Sequence, residues 1–149
     1  MAQLDDTVRA LLLTATGRGF MAGVNNRGTE PEDPTPEYTA LREAEEELGL
    51  PRERVEILAR IPDYCTRTGF RVSPVVGLIV PPVELRPDSR EVEEAFEVPL
   101  EFLLDPRNHQ RESREFEGRS VGFYVIQYRE RRIWGATAGM VVNLYRMLA

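Results

Sequence analysis

One cysteine, one histidine and one tryptophan are spread over 149 residues, and acidic side chains outnumber basic ones by 25 to 19. Each shortage removes a class of function. Cys65 alone cannot close an internal disulfide, which fits a reducing compartment, and it reads as an ordinary small side chain rather than a nucleophile. His109 alone supports neither a zinc site nor a Ser-His-Asp triad, and its polar neighbours Arg107, Asn108 and Gln110 place it on the surface. A formal net charge of −6 argues against non-specific binding to DNA, RNA or an anionic membrane, which needs clustered positive charge. No apolar run reaches the roughly 20 residues of a membrane-spanning helix, and no basic-then-apolar signal segment opens the chain. The cytoplasm is therefore the expected location. What remains, 42% hydrophobic and 30% charged residues, is the composition of one soluble domain over residues 1–149 with a single buried core.

Periodicity and punctuation outline the elements. Val8 to Thr14 reads as a buried strand, Gly17-Arg18-Gly19 as a turn and Phe20 to Val24 as a return strand. Residues 25–34 form a loop by composition. Thr35 is a natural N-cap, Pro36 suits the first helical position and Glu37 the first turn. That helix runs to about Leu48 and stops at Gly49-Leu50-Pro51. Val55 to Ile61 is a strand and Asp63 to Gly69 a loop. Phe70 to Val80 is a β-type segment interrupted by Pro74, and Glu91 to Val98 a further strand. Leu100 to Leu104 makes one helical turn, Arg111 to Phe116 and Val121 to Tyr128 a hairpin about Glu117-Gly118, and Thr137 to Leu148 a final helix. In that helix Met140, Val141, Leu144, Met147 and Leu148 form an apolar core stripe. Mixed strands with two separated helices give an α+β sandwich.

The chemistry is concentrated in Arg42-Glu43-Ala44-Glu45-Glu46-Glu47-Leu48-Gly49-Leu50. At about 100° per residue, Leu41, Ala44 and Leu48 share one arc of the helix, and Glu43, Glu46 and Glu47 share the opposite side. Like charges so placed repel by roughly 1 kcal/mol per close pair in water. Hard Mg²⁺ or Mn²⁺ would offset that repulsion, since these ions favour carboxylate oxygens, water and phosphate. Most acidic helices are simply solvated surfaces, strengthened by i,i+4 pairs such as Arg42 with Glu46. Order sets this one apart: Arg-Glu-small-x-Glu-Glu-x-Gly-apolar, with Gly28 fourteen residues before Arg42.

That order resembles the Nudix hydrolase signature, Gly-x5-Glu-x7-Arg-Glu-apolar-x-Glu-Glu-x-Gly-apolar. Gly28 matches the opening glycine and Arg42 to Leu50 the second half, while Pro34 stands where the signature has its first glutamate, with Glu30 and Glu32 nearby. Three more segments, residues 68–77, 96–106 and 133–138, are similar to the coenzyme A pyrophosphatase branch of that family. Upstream the chain departs: Leu12-Leu13-Thr14 is followed by neither the Phe-Pro nor the Gly-Gly of that branch.

The resemblance implies a Nudix-type α/β/α sandwich with a mixed central sheet, a family that often forms homodimers. It also implies Mg²⁺- or Mn²⁺-dependent hydrolysis of a nucleoside diphosphate linked to another group, with coenzyme A or a derivative as first choice. Glu46 and Glu47 would be the main metal ligands, Glu43 would complete the acidic face and the Gly28 carbonyl would add a further ligand. Arg42 would orient a helix glutamate rather than touch substrate. The general base would be a box glutamate or an acid of the 91–97 segment, Glu94 or Glu97. Arg67 and Thr68, with Tyr64 and Thr66, would line the substrate cleft on a loop, and Arg18 and Arg27 are either phosphate contacts or solvated charge. Two alternatives stand beside coenzyme A: the same chemistry on ADP-ribose, a dinucleotide or a nucleotide sugar, and a Nudix-fold module that binds a nucleotide with impaired turnover.

Overall fold

A computed structural model describes residues 9–16, 35–66, 71–80, 82–90, 92 and 94–149, in two units, Met1–Ala95 and Phe96–Ala149. In the first unit the strands β1 (Arg9–Thr16), β2 (Val55–Arg60) and β3 (Tyr64–Cys65) all pair antiparallel with β4 (Arg71–Ile79). β4 is central because its sequence, rich in β-branched valines, can be buried on both faces; Val72, Pro74, Val75 and Ile79 are all buried. Pro74 does not interrupt the strand. It lies beside the end of the β2 ladder, where Arg60 faces Val75, and its carbonyl still accepts a bond from Ile61 N–H at 3.1 Å. A register shift between Ile57 and Ala59 turns Leu58 out of the ladder, which accounts for its exposure.

Helix α1 (Pro36–Leu48) packs on β1 and β4. The Thr35 side chain accepts a bond from Tyr38 N–H at 3.2 Å, and Pro36 opens the helix as its spacing predicts. Ala40, Ala44, Leu50, Val75 and Ile79 form the core, with Leu41, Leu48, Val55, Ile57, Val83 and Leu85 packed around it. The two alanines let helix and sheet approach closely. Leu50 is wholly buried, an environment that stabilises such a side chain by about 2 kcal/mol.

The second unit is an antiparallel meander, β5 (Gln110–Phe116), β6 (Arg119–Tyr128) and β7 (Arg131–Trp134), in the order β5-β6-β7, with helix α3 (Gly135–Leu148) packed on β6 and β7. Its core is Val125 and Ile126 against Ala138, Met140, Val141 and Val142. Glu117 and Gly118 both have positive φ, 49° and 73°, as a two-residue type I′ turn demands. The short helix α2 (Leu100–Leu103) precedes them.

Several expectations need correction. Strand β7 is an addition to the expected elements; the turn into it uses Arg129 at φ 53° instead of glycine. The described residues of the 91–98 segment form no strand, and Val92 N–H bonds back to Asp88 C=O at 2.8 Å, a turn that an extended chain cannot make. In α3 the stripe stops short: Met147 and Leu148 are exposed, because the buried residues all lie between Ala138 and Val142. His109 is half-buried. Its Nε2–H donates to the Leu103 carbonyl at 2.7 Å and its ring meets Tyr145 edge-on, so it braces the unit. The α+β class holds, and among the described residues every strand pairing is antiparallel where the resemblance implies a mixed sheet. No helix among the described residues is long and apolar enough to cross a membrane.

Candidate active site

The acidic helix is fixed at its C-terminal end by the backbone. Gly49 takes the left-handed conformation, φ 64° and ψ 24°; its N–H bonds to Glu45 C=O at 3.1 Å and Leu50 N–H to Ala44 C=O at 3.3 Å. The last carbonyls are taken by a separate segment: Arg86 N–H donates to Leu48 C=O at 2.7 Å and Asp88 N–H to Glu47 C=O at 2.8 Å. These bonds satisfy groups that a helix end otherwise leaves unpaired. They also explain why position 49 is glycine twice over. A Cβ there would be strained at that φ, and it would stand 3.1 Å from Arg86 Cβ and 3.3 Å from Arg86 O.

The side chains of α1 divide by partner. Arg42 Nη1 meets Glu46 Oε1 at 3.3 Å, one helical turn on, and Glu46 remains 61% exposed. Glu45 leaves this face: Arg52 binds it with Nη2 at 2.6 Å and Nε at 3.0 Å while lying over the Tyr38 ring. The hydrogen bonds to Glu45 hold the Arg52 guanidinium more firmly protonated than usual. Near the helix start, Arg60 of β2 reaches Glu37 at 3.4 Å. Glu43, Glu46 and Glu47 follow one another at i, i+3 and i+4, the spacing that stacks side chains on one helix face.

This donor set suits a hard divalent cation. Among the described residues no three acidic, cysteine or histidine side chains converge into a preformed cage. Mg²⁺ does not require one, since it is held by one or two carboxylates together with waters and substrate phosphates. Glu46, exposed, and its half-buried neighbour Glu47 are two such carboxylates.

Gly28, Arg67 and Thr68, along with Pro34, Arg18 and Arg27, lie outside the described residues. Tyr64 belongs to β3, opposite Val72, rather than to a loop. Glu94 and Glu97 are exposed in irregular chain. A polar cluster that the sequence does not announce adjoins β3: Asp63 accepts bonds from Ser73 Oγ at 2.8 Å and from Arg71 Nε at 2.5 Å. Those bonds, the serine's foremost, hold the Asp63 carboxyl below its ordinary range. Only the alternation of Arg71 and Ser73 on one face of a strand could have hinted at it.

Comparison with known proteins follows the same residues. The NUDIX domain model matches residues 10–117, most of the chain. The chain belongs to the Nudix family. Among curated Nudix relatives, an uncharacterized Nudix hydrolase NudL from Photorhabdus laumondii is 34% identical over 115 residues, covering 77% of this chain and 62% of the relative. A NudL from Pectobacterium atrosepticum is 36% identical over 106 residues, covering 71% and 55%. The protein called Nudix hydrolase 15, mitochondrial, from Arabidopsis thaliana is 34% identical over 120 residues, covering 76% and 42%. The chain thus spans about half the length of the curated relatives it matches. The matched region includes α1 and Gly49.

Proposed function

We propose that this Nudix domain hydrolyses a nucleoside diphosphate linked to another moiety, with Mg²⁺ or Mn²⁺ as cofactor and coenzyme A or a derivative as first-choice substrate. The observation that carries the reading is the acidic face of α1, with Glu43, Glu46 and Glu47 in helical register and Arg42 on Glu46 at 3.3 Å. A diphosphate resists attack because its own oxygens repel a nucleophile. A divalent ion would be held by Glu46 and Glu47, with Glu43 and the Gly28 carbonyl as the further ligands the resemblance implies, and would supply charge neutralisation and a more acidic water. The chain's residues do the rest. Arg42 restrains the Glu46 carboxylate, the backbone bonds at residues 86–88 keep the last turn from fraying, and a glutamate of the same face accepts the proton of the attacking water. Water adds to one phosphorus and the bridging P–O bond breaks, leaving two phosphorylated products. Arg67 and Thr68 are assigned to the substrate cleft. The whole reaction is assigned to residues 1–149 acting as one domain of a small-molecule enzyme of the cytoplasm, with no nucleic acid or membrane partner.

A second reading has specific support. The chain lacks the Phe-Pro and Gly-Gly upstream of the box and carries Pro34 in place of the first signature glutamate. That favours ADP-ribose, a dinucleotide or a nucleotide sugar as substrate, or binding with impaired turnover. A panel of diphosphates incubated with Mg²⁺ or Mn²⁺ separates the cases. Release of 3′,5′-ADP and phosphopantetheine from coenzyme A supports the first choice, cleavage of ADP-ribose alone selects the second, and saturable binding with no product selects the third. No cleavage and no binding across the panel would overturn the assignment.

A further inference from the structure

Arg111 of β5 and Arg146 of α3 converge on one side chain of β6. The Arg111 guanidinium lies over the Tyr124 ring, 5.4 Å from its centroid. Arg146 stands at the hydroxyl end, 5.8 Å from the same centroid, where its Nη2 donates to Tyr124 Oη at 2.8 Å. The strand register sets Arg111 directly opposite Tyr124, and the last turn of α3 brings Arg146 to the ring. All three residues belong to the second unit. Two guanidiniums drawn to one ring repel each other, as the glutamates of α1 do. A tyrosine offsets that only in part, since a cation over a ring gains about 0.5–1 kcal/mol at exposed sites.

The carboxylates nearest in sequence are turned elsewhere. Successive residues of a strand point to opposite faces, so Glu112 leaves the face of Arg111, and Arg132 of β7 binds it at 2.5 Å. Glu115 returns to the Arg111 face, but opposite Ser120 and roughly 13 Å further along the strand. The diagonal neighbour across the ladder is Gly122. A Cβ there would meet only Arg111 Nη2 at 3.5 Å and the Glu112 carbonyl oxygen at 3.8 Å, so the surface beside the guanidinium is open. Both arginines are exposed and Tyr124 is half-buried. Arg52 and Arg107, by contrast, are each taken up by a carboxylate, Glu45 and Asp105.

What the cluster offers is donors. Arg146 spends one N–H on Tyr124, and the phenol that accepts this bond keeps its own O–H to donate. Each guanidinium presents a fork that matches the oxygens of a phosphoryl group, whose two negative charges would balance both cations. A carboxylate would balance only one. We infer that Arg111, Tyr124 and Arg146 form a binding site for a phosphoryl group, as inorganic phosphate or as the phosphomonoester end of a larger molecule. The inference does not rest on the proposed hydrolysis.

The test is a titration of the full isotope-labelled chain, free of divalent metal, with sodium phosphate near neutral pH at constant ionic strength, followed by amide and arginine Nε–H signals. Saturable shifts at Arg111, Tyr124 and Arg146 are expected, with none in a matched sodium chloride titration. Arg111→Gln and Arg146→Gln should each weaken binding roughly tenfold, and Tyr124→Phe, which keeps the ring and drops the hydroxyl, roughly threefold. Circular dichroism should show the fold retained in each. Methyl phosphate as a second probe separates the sources: tighter binding than inorganic phosphate assigns a phosphomonoester, weaker binding the free ion. An absence of saturable shifts with both probes overturns the inference. So do shifts that chloride reproduces, or binding that keeps its wild-type affinity when both arginines are replaced by glutamine.

Discussion

Helix α1 and strand β5 carry a similar density of ionisable side chains and dispose of it in opposite ways. On α1 Glu43, Glu46 and Glu47 share one face, Arg42 binds Glu46, and the last turn itself contains no basic residue. On β5 the signs are mixed, and neighbours within the unit meet them: Arg132 of β7 binds Glu112, and Arg111 lies over the Tyr124 ring. Like charges gathered on one helical face favour a cation, whereas mixed signs along a strand favour contacts with neighbouring side chains. Composition alone would not separate the two, since both segments are simply rich in Glu and Arg. Geometry does.

The sharpest way to break the contrast is to neutralise the helix. Glu47→Gln should lower turnover of the cleaved diphosphate by roughly 100-fold or more, since even residues behind metal ligands commonly cost ~10- to 100-fold. Circular dichroism should show the fold retained, and an undiminished rate would remove α1 from the chemistry. Next in size, Gly49→Ala combines an unfavourable φ with a 3.1 Å approach to Arg86 Cβ. Urea unfolding should show a loss of about 2 kcal/mol. Arg42→Met should act more mildly, lowering kcat about tenfold, or about 1.4 kcal/mol, with KM little changed, if its task is to restrain Glu46 rather than to grip substrate. A rise in KM alone would assign it to binding.

The smallest expected effect compares the two units directly. Asp88 in the first and Asp105 in the second each bind an arginine two residues on, Arg90 and Arg107, through the side chain and the backbone N–H. Those hydrogen bonds lower each carboxyl from 3.8 to about 2. A depressed folded-state value means stabilisation that is present above pH 3.8 and lost as pH falls toward about 2. Each carboxyl is half-buried but its arginine partner is exposed, so solvent screens the pair and the contribution is small. Acid titration followed by tryptophan fluorescence should show Asp105→Asn flattening the wild-type decline between those limits. An unchanged profile would place the acid sensitivity elsewhere.

Much of α1 was legible in the sequence because its signals are local. Thr35, Pro36 and Gly49 mark the ends, and the apolar spacing of Leu41, Ala44 and Leu48 marks the inward face, which the structure extends to Ala40. Glu117-Gly118 announced the first hairpin for the same reason. What escaped was non-local or locally disguised. Nothing near Arg86 or Asp88 signals that their N–H groups close the end of a helix some forty residues earlier. The second hairpin hides in a charged run whose turn uses Arg129, and Met147 and Leu148 continue an apolar period past the sheet that covers the earlier turns. Glu43, Glu46 and Glu47 were legible as a pattern because their i, i+3 and i+4 spacing is itself local.

The clasp between residues 86–88 and the end of α1 has one more consequence. Peptide dipoles leave the C-terminal end of a helix with about half a negative charge, and here that pole lies beside Glu46 and Glu47 with no basic residue in the last turn. A cation settling there would relieve the helix as well as the carboxylates. Its arrival should therefore be felt along the clasp, as slower hydrogen exchange at the Arg86 and Asp88 amides, before any substrate is added.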